Sequence, residues 1–208
     1  MPGVTISASY GAGGSLIAPR VAEQLGLRLI DRAISSTVAM QLQVSVAEAQ
    51  QGEANRSAAE RFFGVLAPLT GVASPPPEPG MADDAATFRE HTEQLMRQAL
   101  ADGAVILGRA GSVAFAAEPD VLRVRLHGPA EARIAQAAVV EAVLAETARQ
   151  RLPEVDQARA QYVRRLYRAD LDDAELYHLQ LDSTALPLDT CADLIVRAYR
   201  AFQQPAGG

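Results

Sequence analysis

The stretch Val4 to Gly26, VTISASYGAGGSLIAPRVAEQLG, constrains this chain most. A short β-branched run, Val4 to Ser7, leads into the small-residue turn Gly11-Ala12-Gly13-Gly14-Ser15. A helical pattern from about Gly13 to Leu25 follows, and Gly26 suits the position just past a helix end. A loop of small residues at a helix N-terminus exposes backbone N–H groups at the positive end of the helix dipole, which suits a phosphate. Leu27-Arg28-Leu29-Ile30 then reads as a second strand, with Asp31-Arg32 at its C-terminal end. The opening is therefore β-α-β, the unit of a helix-covered parallel sheet whose ligands bind beyond the strand C-termini. The expected fold class is α/β, three layers around a central parallel sheet.

The pattern continues along the chain. Residues 33 to 68 read as helices, with Ser45/Glu48 and Ser57/Glu60 as candidate capping boxes. Residues 70 to 82 hold Ser74-Pro75-Pro76-Pro77-Glu78-Pro79-Gly80, which excludes regular structure. Asp83 is placed to cap a long helix carrying Phe88, Thr92, Leu95 and Ala99 on one stripe. Ala104 to Leu107 is continuously apolar, as expected of a strand buried on both faces, and leads into Gly108-Arg109-Ala110-Gly111. Val121 to Leu126 reads as the next strand, and Pro129 opens a helix running to about Thr147. Arginines crowd the following segment: Arg149, Arg151, Arg159, Arg164, Arg165 and Arg168. On a helix from Pro153 to Leu171, Val155, Ala158, Tyr162 and Leu166 share a face, with Arg159 at its edge and Arg164 and Arg168 opposite. Tyr177 to Asp182 reads as a strand, Ser183-Thr184 as a turn, and Asp189 to Phe202 as a helix.

Composition narrows the partners. The 208 residues fit one domain, and a net charge of −6 speaks against general nucleic-acid binding. The single cysteine, Cys191, excludes an internal disulfide, lies in an apolar helical pattern, and points to a reducing compartment. No window has the length of a membrane span, and no secretory signal is visible. A cytoplasmic protein is expected, with no nucleic-acid or membrane partner and a homodimer as the candidate assembly. His91, His127 and His178 have no metal-ligand spacing.

Three readings compete for the loop. It can be a tight turn that serves packing alone. It can be a dinucleotide site, since Asp31 follows Gly11 by about 20 residues as that fingerprint requires. The third glycine of that fingerprint, however, would fall on the large Leu16. It can be a mononucleotide P-loop, G-x-x-x-x-G-K-[ST], running from Ala8 to Ser15. Then the second glycine and the final hydroxyl match, Ala8 stands at the first glycine, and Gly14 stands at the lysine. That lysine neutralises phosphate charge, so other cations must serve, and Arg32, Arg109 and the Arg149 to Arg159 segment are the candidates.

With Tyr10-Gly11-Ala12-Gly13-Gly14, Ile30-Asp31-Arg32, Val105-Ile106-Leu107-Gly108-Arg109-Ala110, Asp156-x-x-Arg159-x-x-Tyr162 and Tyr177-x-Leu179-x-Leu181-Asp182-Ser183 in this order, the chain resembles the cytidylate-kinase-like branch of the P-loop nucleoside monophosphate kinases. The resemblance runs from Val4 to about Tyr199. It implies one kinase-like domain over residues 1 to 208, with an NMP-binding insert at about 33 to 82 and a LID at about 140 to 160. It implies transfer of the γ-phosphoryl of ATP, with Mg²⁺, to a small nucleotide such as CMP or dCMP. Gly11, Ala12, Gly13, Gly14 and Ser15 would then cradle the donor phosphates, with Ser15 reaching Mg²⁺. Asp31, Arg32 and Arg149 would face the acceptor, Arg109 its phosphate, and Arg149, Arg151 and Arg159 would close over the phosphates. Relatives with Gly-Gly in place of Gly-Lys carry arginines where this chain has Ser15 and Ala8. Two alternatives follow: a non-catalytic nucleotide-binding protein on this fold, and a phosphotransferase for another small hydroxyl compound.

Overall fold

The computed structural model describes residues 2–31, 81–108 and 110–204 of the chain. The expected insert up to residue 80, with its capping boxes and its Pro-rich loop, lies outside the described residues, as do Arg32 and Arg109. The helix expected to start at Asp83 runs over Met81–Ala101, so Asp83 lies within it and does not cap it; the side chains of Asp83 and Phe88 lie outside the described residues.

Strand β1 (Gly3–Ala8) is the centre of the sheet, and helix α1 (Gly14–Leu25) follows the loop and ends at Gly26, which takes φ 65°. Strand β2 (Arg28–Ile30) comes next, and helix α2 (Met81–Ala101) leads into β3 (Ala104–Leu107). A four-residue helix α3 (Gly111–Ala114) precedes β4 (Val121–His127). Helices α4 (Ala130–Val140) and α5 (Ala145–Tyr167) form a hairpin, and a 3₁₀ turn (Ala174–Leu176) precedes β5 (Leu179–Asp182) and the final helix α6 (Leu188–Phe202). Among the described residues the sheet has the order β2-β3-β1-β4-β5, with every pairing parallel.

Alternation along the strands sorts the core into two layers. Val4, Ile6, Val105, Leu122, Val124 and Leu126 face α1 and α6, where they meet Ile17, Val21 and Ile195. Ile106 and Val121 face the other way, toward Met96 and Leu100 of α2 and Tyr162 and Val163 of α5. Each fully buried aliphatic side chain of this kind contributes about 1.5–3 kcal/mol. A third, smaller cluster joins Tyr10 of the loop to Ile134 and Ala137 of α4 and Ala148 of α5. The loop's aromatic side chain is thus packed under the hairpin.

Three further element boundaries depart from the sequence reading. The helix after Pro129 stops at Val140, and the chain turns through Ala142 at φ 52° before α5 begins. Pro153 does not start a helix but lies inside α5. It and Arg149, whose carbonyl loses its helical partner to the proline, are both exposed, which places the break on the solvent side of the helix. Strand β5 starts at Leu179 and not at Tyr177: the 3₁₀ turn, capped by the Asp173 carboxylate accepting from Glu175 N at 3.0 Å, ends at Leu176, and Tyr177 and His178 link it to the strand.

Candidate active site

The C-terminal ends of β1, β2 and β3 bring Ala8, Asp31 and Gly108 to one cleft with about 210 Å³ of free volume. Gly11, Gly13, Gly14 and Ser15 line the same cleft, while the Ala12 side chain is buried in the core. The loop has the backbone that its glycines allow: φ is 76° at Gly11 and 72° at Gly13. A Cβ on Gly11 would run into the carbonyl oxygen of Arg133, so α4 sits directly against the loop.

Every carbonyl from Ala8 to Gly13 has a donor. Arg159 Nη1 donates to Ala8 O at 2.8 Å, and Ala12 N to Ser9 O at 3.1 Å. Arg133 Nη1 donates to Tyr10 O at 2.8 Å, and Gln136 Nε2 to Gly11 O at 2.8 Å. Ser183 Oγ donates to Ala12 O at 2.7 Å, and Leu16 N and Ile17 N each donate to Gly13 O at 3.0 Å. The loop's acceptors are therefore all occupied. Its remaining N–H groups, at Gly11, Gly13, Gly14 and Ser15, have no backbone acceptor among the described residues and belong to the cleft lining. This is the electrostatics of an anion cradle, with donors free and acceptors turned away.

The structure brings the loop, Asp31 and Arg159 together at the cleft. Arg151 and Arg149 lie on the exposed side of the hairpin. Arg151 Nη1 pairs with Glu141 Oε2 at 3.3 Å, and Arg149 pairs with Glu131 at 2.9 Å and Glu146 at 3.1 Å. Tyr10 OH donates to the same Glu141 Oε2 at 2.8 Å, and burial together with this carboxylate pushes the phenol pKa up. Arg20 pairs with Asp189 at 2.7 Å. Ser15 stands at the start of α1, exposed, and lines the cleft that Asp31 also lines.

Sequence reasoning missed Arg133, Gln136 and Arg125. Arg125 donates to Ser7 Oγ at 3.1 Å, to Ser9 Oγ at 3.2 Å and to Asp172 at 3.3 Å, behind the end of β1. Side chains that bond to backbone carbonyls far away in sequence leave no spacing signal. Asp182 and Ser183, quoted above as part of a motif, are placed plainly. Asp182 receives the Thr184 hydroxyl at 2.6 Å, and this bond with the Thr184 amide holds its carboxyl below the usual range.

A family model described as the cytidylate kinase-like family matches residues 3–185. The chain belongs to the cytidylate kinase-like family. No curated protein matches this member. Solved structures similar to it include an uncharacterized protein from Eubacterium ventriosum, 16% identical with a TM-score of 0.67, covering 97% of this chain and 99% of that one. A shikimate kinase from Acinetobacter baumannii, in complex with shikimate, is 14% identical with a TM-score of 0.53 over 99% of this chain and 96% of that one. A gluconokinase from Sinorhizobium meliloti is 15% identical with a TM-score of 0.50 over 97% of this chain and 90% of that one. The fold of this cytidylate kinase-like protein is that of the P-loop kinases, and its family supports a nucleotide-dependent phosphotransferase. Among the described residues no helix is long and apolar enough to cross a membrane.

Proposed function

We propose that this protein transfers the γ-phosphoryl group of ATP to a small nucleotide acceptor such as CMP or dCMP. The observation that carries this reading is the loop at Gly11 to Ser15: its carbonyls are all turned to protein donors, its N–H groups line the cleft, and Arg159 reaches the same place. The loop N–H groups would hold the donor phosphates. The Ser15 hydroxyl and the Asp31 carboxylate, both hard oxygen donors at the cleft, fit Mg²⁺. Bound there, the ion would neutralise phosphate charge. Arg159 acts as the cation that lines the cleft beside the loop, and Arg32 and Arg109 are assigned to the acceptor from their places in the sequence after strands. Arg149 and Arg151 join them by leaving exposed ion pairs, which solvent and salt screen and which hold only weakly. Residues from about 140 to 160, in the hairpin of α4 and α5, take the role of the LID, and residues from about 33 to 82 that of the acceptor insert.

Coupled-assay phosphorylation of CMP, dCMP and UMP, with ATP and Mg²⁺, tests the reading, and turnover above background on one of them is the expected result. A second reading, nucleotide binding without catalysis, is favoured by the steric closure of the lysine position at Gly14. No turnover, with ATP still raising the melting temperature, would overturn the first reading and support the second. Turnover only on another small hydroxyl compound would move the acceptor and leave the donor site in place.

A further inference from the structure

In a trans peptide the C=O and the next N–H point to opposite sides. The N–H of Gly11 is therefore aimed by whatever holds Tyr10 O, and that is Arg133. This side chain makes three bonds at once: Nε to Gly128 O at 2.9 Å, Nη1 to Tyr10 O at 2.8 Å, and Nη1 to Asp156 Oδ2 at 2.6 Å. The other oxygen of Asp156 accepts Tyr10 N at 2.7 Å. Both peptide groups of Tyr10 are thus clamped by one ion pair whose arginine side chain is 12% exposed. Gln136, one turn further along α4, holds Gly11 O. The clamp is needed because Gly11 has no side chain to resist rotation of its peptides. A flip of the Tyr10–Gly11 peptide would turn an N–H away from the cleft and a carbonyl oxygen toward it, which repels an anion.

We propose that Arg133, with Asp156 and Gln136, is a positioning residue. It keeps the Gly11 N–H aimed into the cleft and so makes phosphate affinity at the loop depend on the docking of α4–α5. The proposal rests on the donor-site reading above. It adds that part of the site's anion affinity is set from behind the loop by residues that do not touch the ligand.

Calorimetric titration with MgATP, on protein shown to be folded by circular dichroism at the titration temperature, tests it. In Arg133→Gln the Kd should rise roughly tenfold or more, the scale of one charge-assisted hydrogen bond, while the Kd for CMP stays near that of the parent. Arg133→Lys keeps a charge beside Asp156 but not the three-way fork, and its Kd should fall between the two. A folded Arg133→Gln protein with parental MgATP affinity overturns the proposal. Should that variant fail to fold, parental affinity in folded Arg133→Lys does the same. If the parent itself binds no MgATP, the donor-site reading falls, and titration with pyrophosphate takes its place. Weaker pyrophosphate binding in the variant then supports the clamp alone, and no pyrophosphate binding by the parent overturns both.

Discussion

The methyl group of Ala8 occupies the space in which a side chain on Gly14 would begin: a Cβ on Gly14 would lie 2.7 Å from Ala8 Cβ and 3.2 Å from Leu107 Cδ1. The two letters by which this loop departs from G-x-x-x-x-G-K-[ST] are therefore sterically linked. A glycine at the first position leaves room for the stem of a lysine at the seventh, and an alanine there does not. Gly14→Ala should cost about 1–3 kcal/mol of stability by overpacking. Adding Ala8→Gly should recover most of that loss, although glycine in a strand by itself costs about 0.5–1 kcal/mol. Urea denaturation of both single variants and the double variant measures the coupling, and strict additivity would refute the linkage. Gly14→Lys alone should then disturb the loop, while Ala8→Gly/Gly14→Lys should tighten MgATP binding.

In the sequence Arg109 stands between Gly108 and Ala110, both of which line the cleft. If it grips the acceptor phosphate, Arg109→Ala weakens CMP binding by about 1.5–3 kcal/mol, the scale of a hydrogen bond to a charged group. Titration with CMP reads this directly, and unchanged affinity removes Arg109 from the site.

His178 carries a pH dependence of stability. Its Nδ1 accepts Arg123 N at 3.3 Å, which requires the neutral ring. Burial, aided by the Arg123 charge, lowers its pKa. The unfolded chain then binds the proton more readily than the fold, so this contribution is present above about pH 6.5, the ordinary histidine value, and is lost as pH falls through the folded pKa. His178→Asn keeps an acceptor and cannot titrate. Its melting temperature should fall less steeply than the parent's on acidification from neutral pH. Parallel slopes would show that other groups carry the effect.

Cys191 is fully buried in the α1–α6 layer, and burial pushes its thiol pKa up. Ellman's reagent should leave it unmodified in the native protein and label it only as denaturant opens the fold. Prompt labelling under native conditions would mean that α6 detaches locally.

The opening β-α-β unit was legible because its signals are local: a β-branched run, positive-φ glycines and a strand end. The buried run Ala104 to Leu107 was legible for the same reason, as was Arg159, which the helical period put at the edge of the apolar face that meets the sheet. The break at residues 141 to 144 was not, since Ala142 takes a positive φ without the glycine that marks such a place. Nor was the bracing of the loop. Arg133 and Gln136 lie on an alanine-rich helix, and what they bond to is a backbone more than a hundred residues earlier, where each carbonyl looks like any other in a sequence.

That bracing has a consequence for how the molecule is made. The residues that fix Tyr10, Gly11 and Ala12 are Arg133, Gln136, Asp156 and Ser183. A ribosome delivers the loop more than a hundred residues before any of these braces. Until then the loop has the glycines that permit its shape and nothing that selects it. The loop therefore settles long after it is synthesised, and a nascent chain does not hold its shape there before Ser183 has emerged.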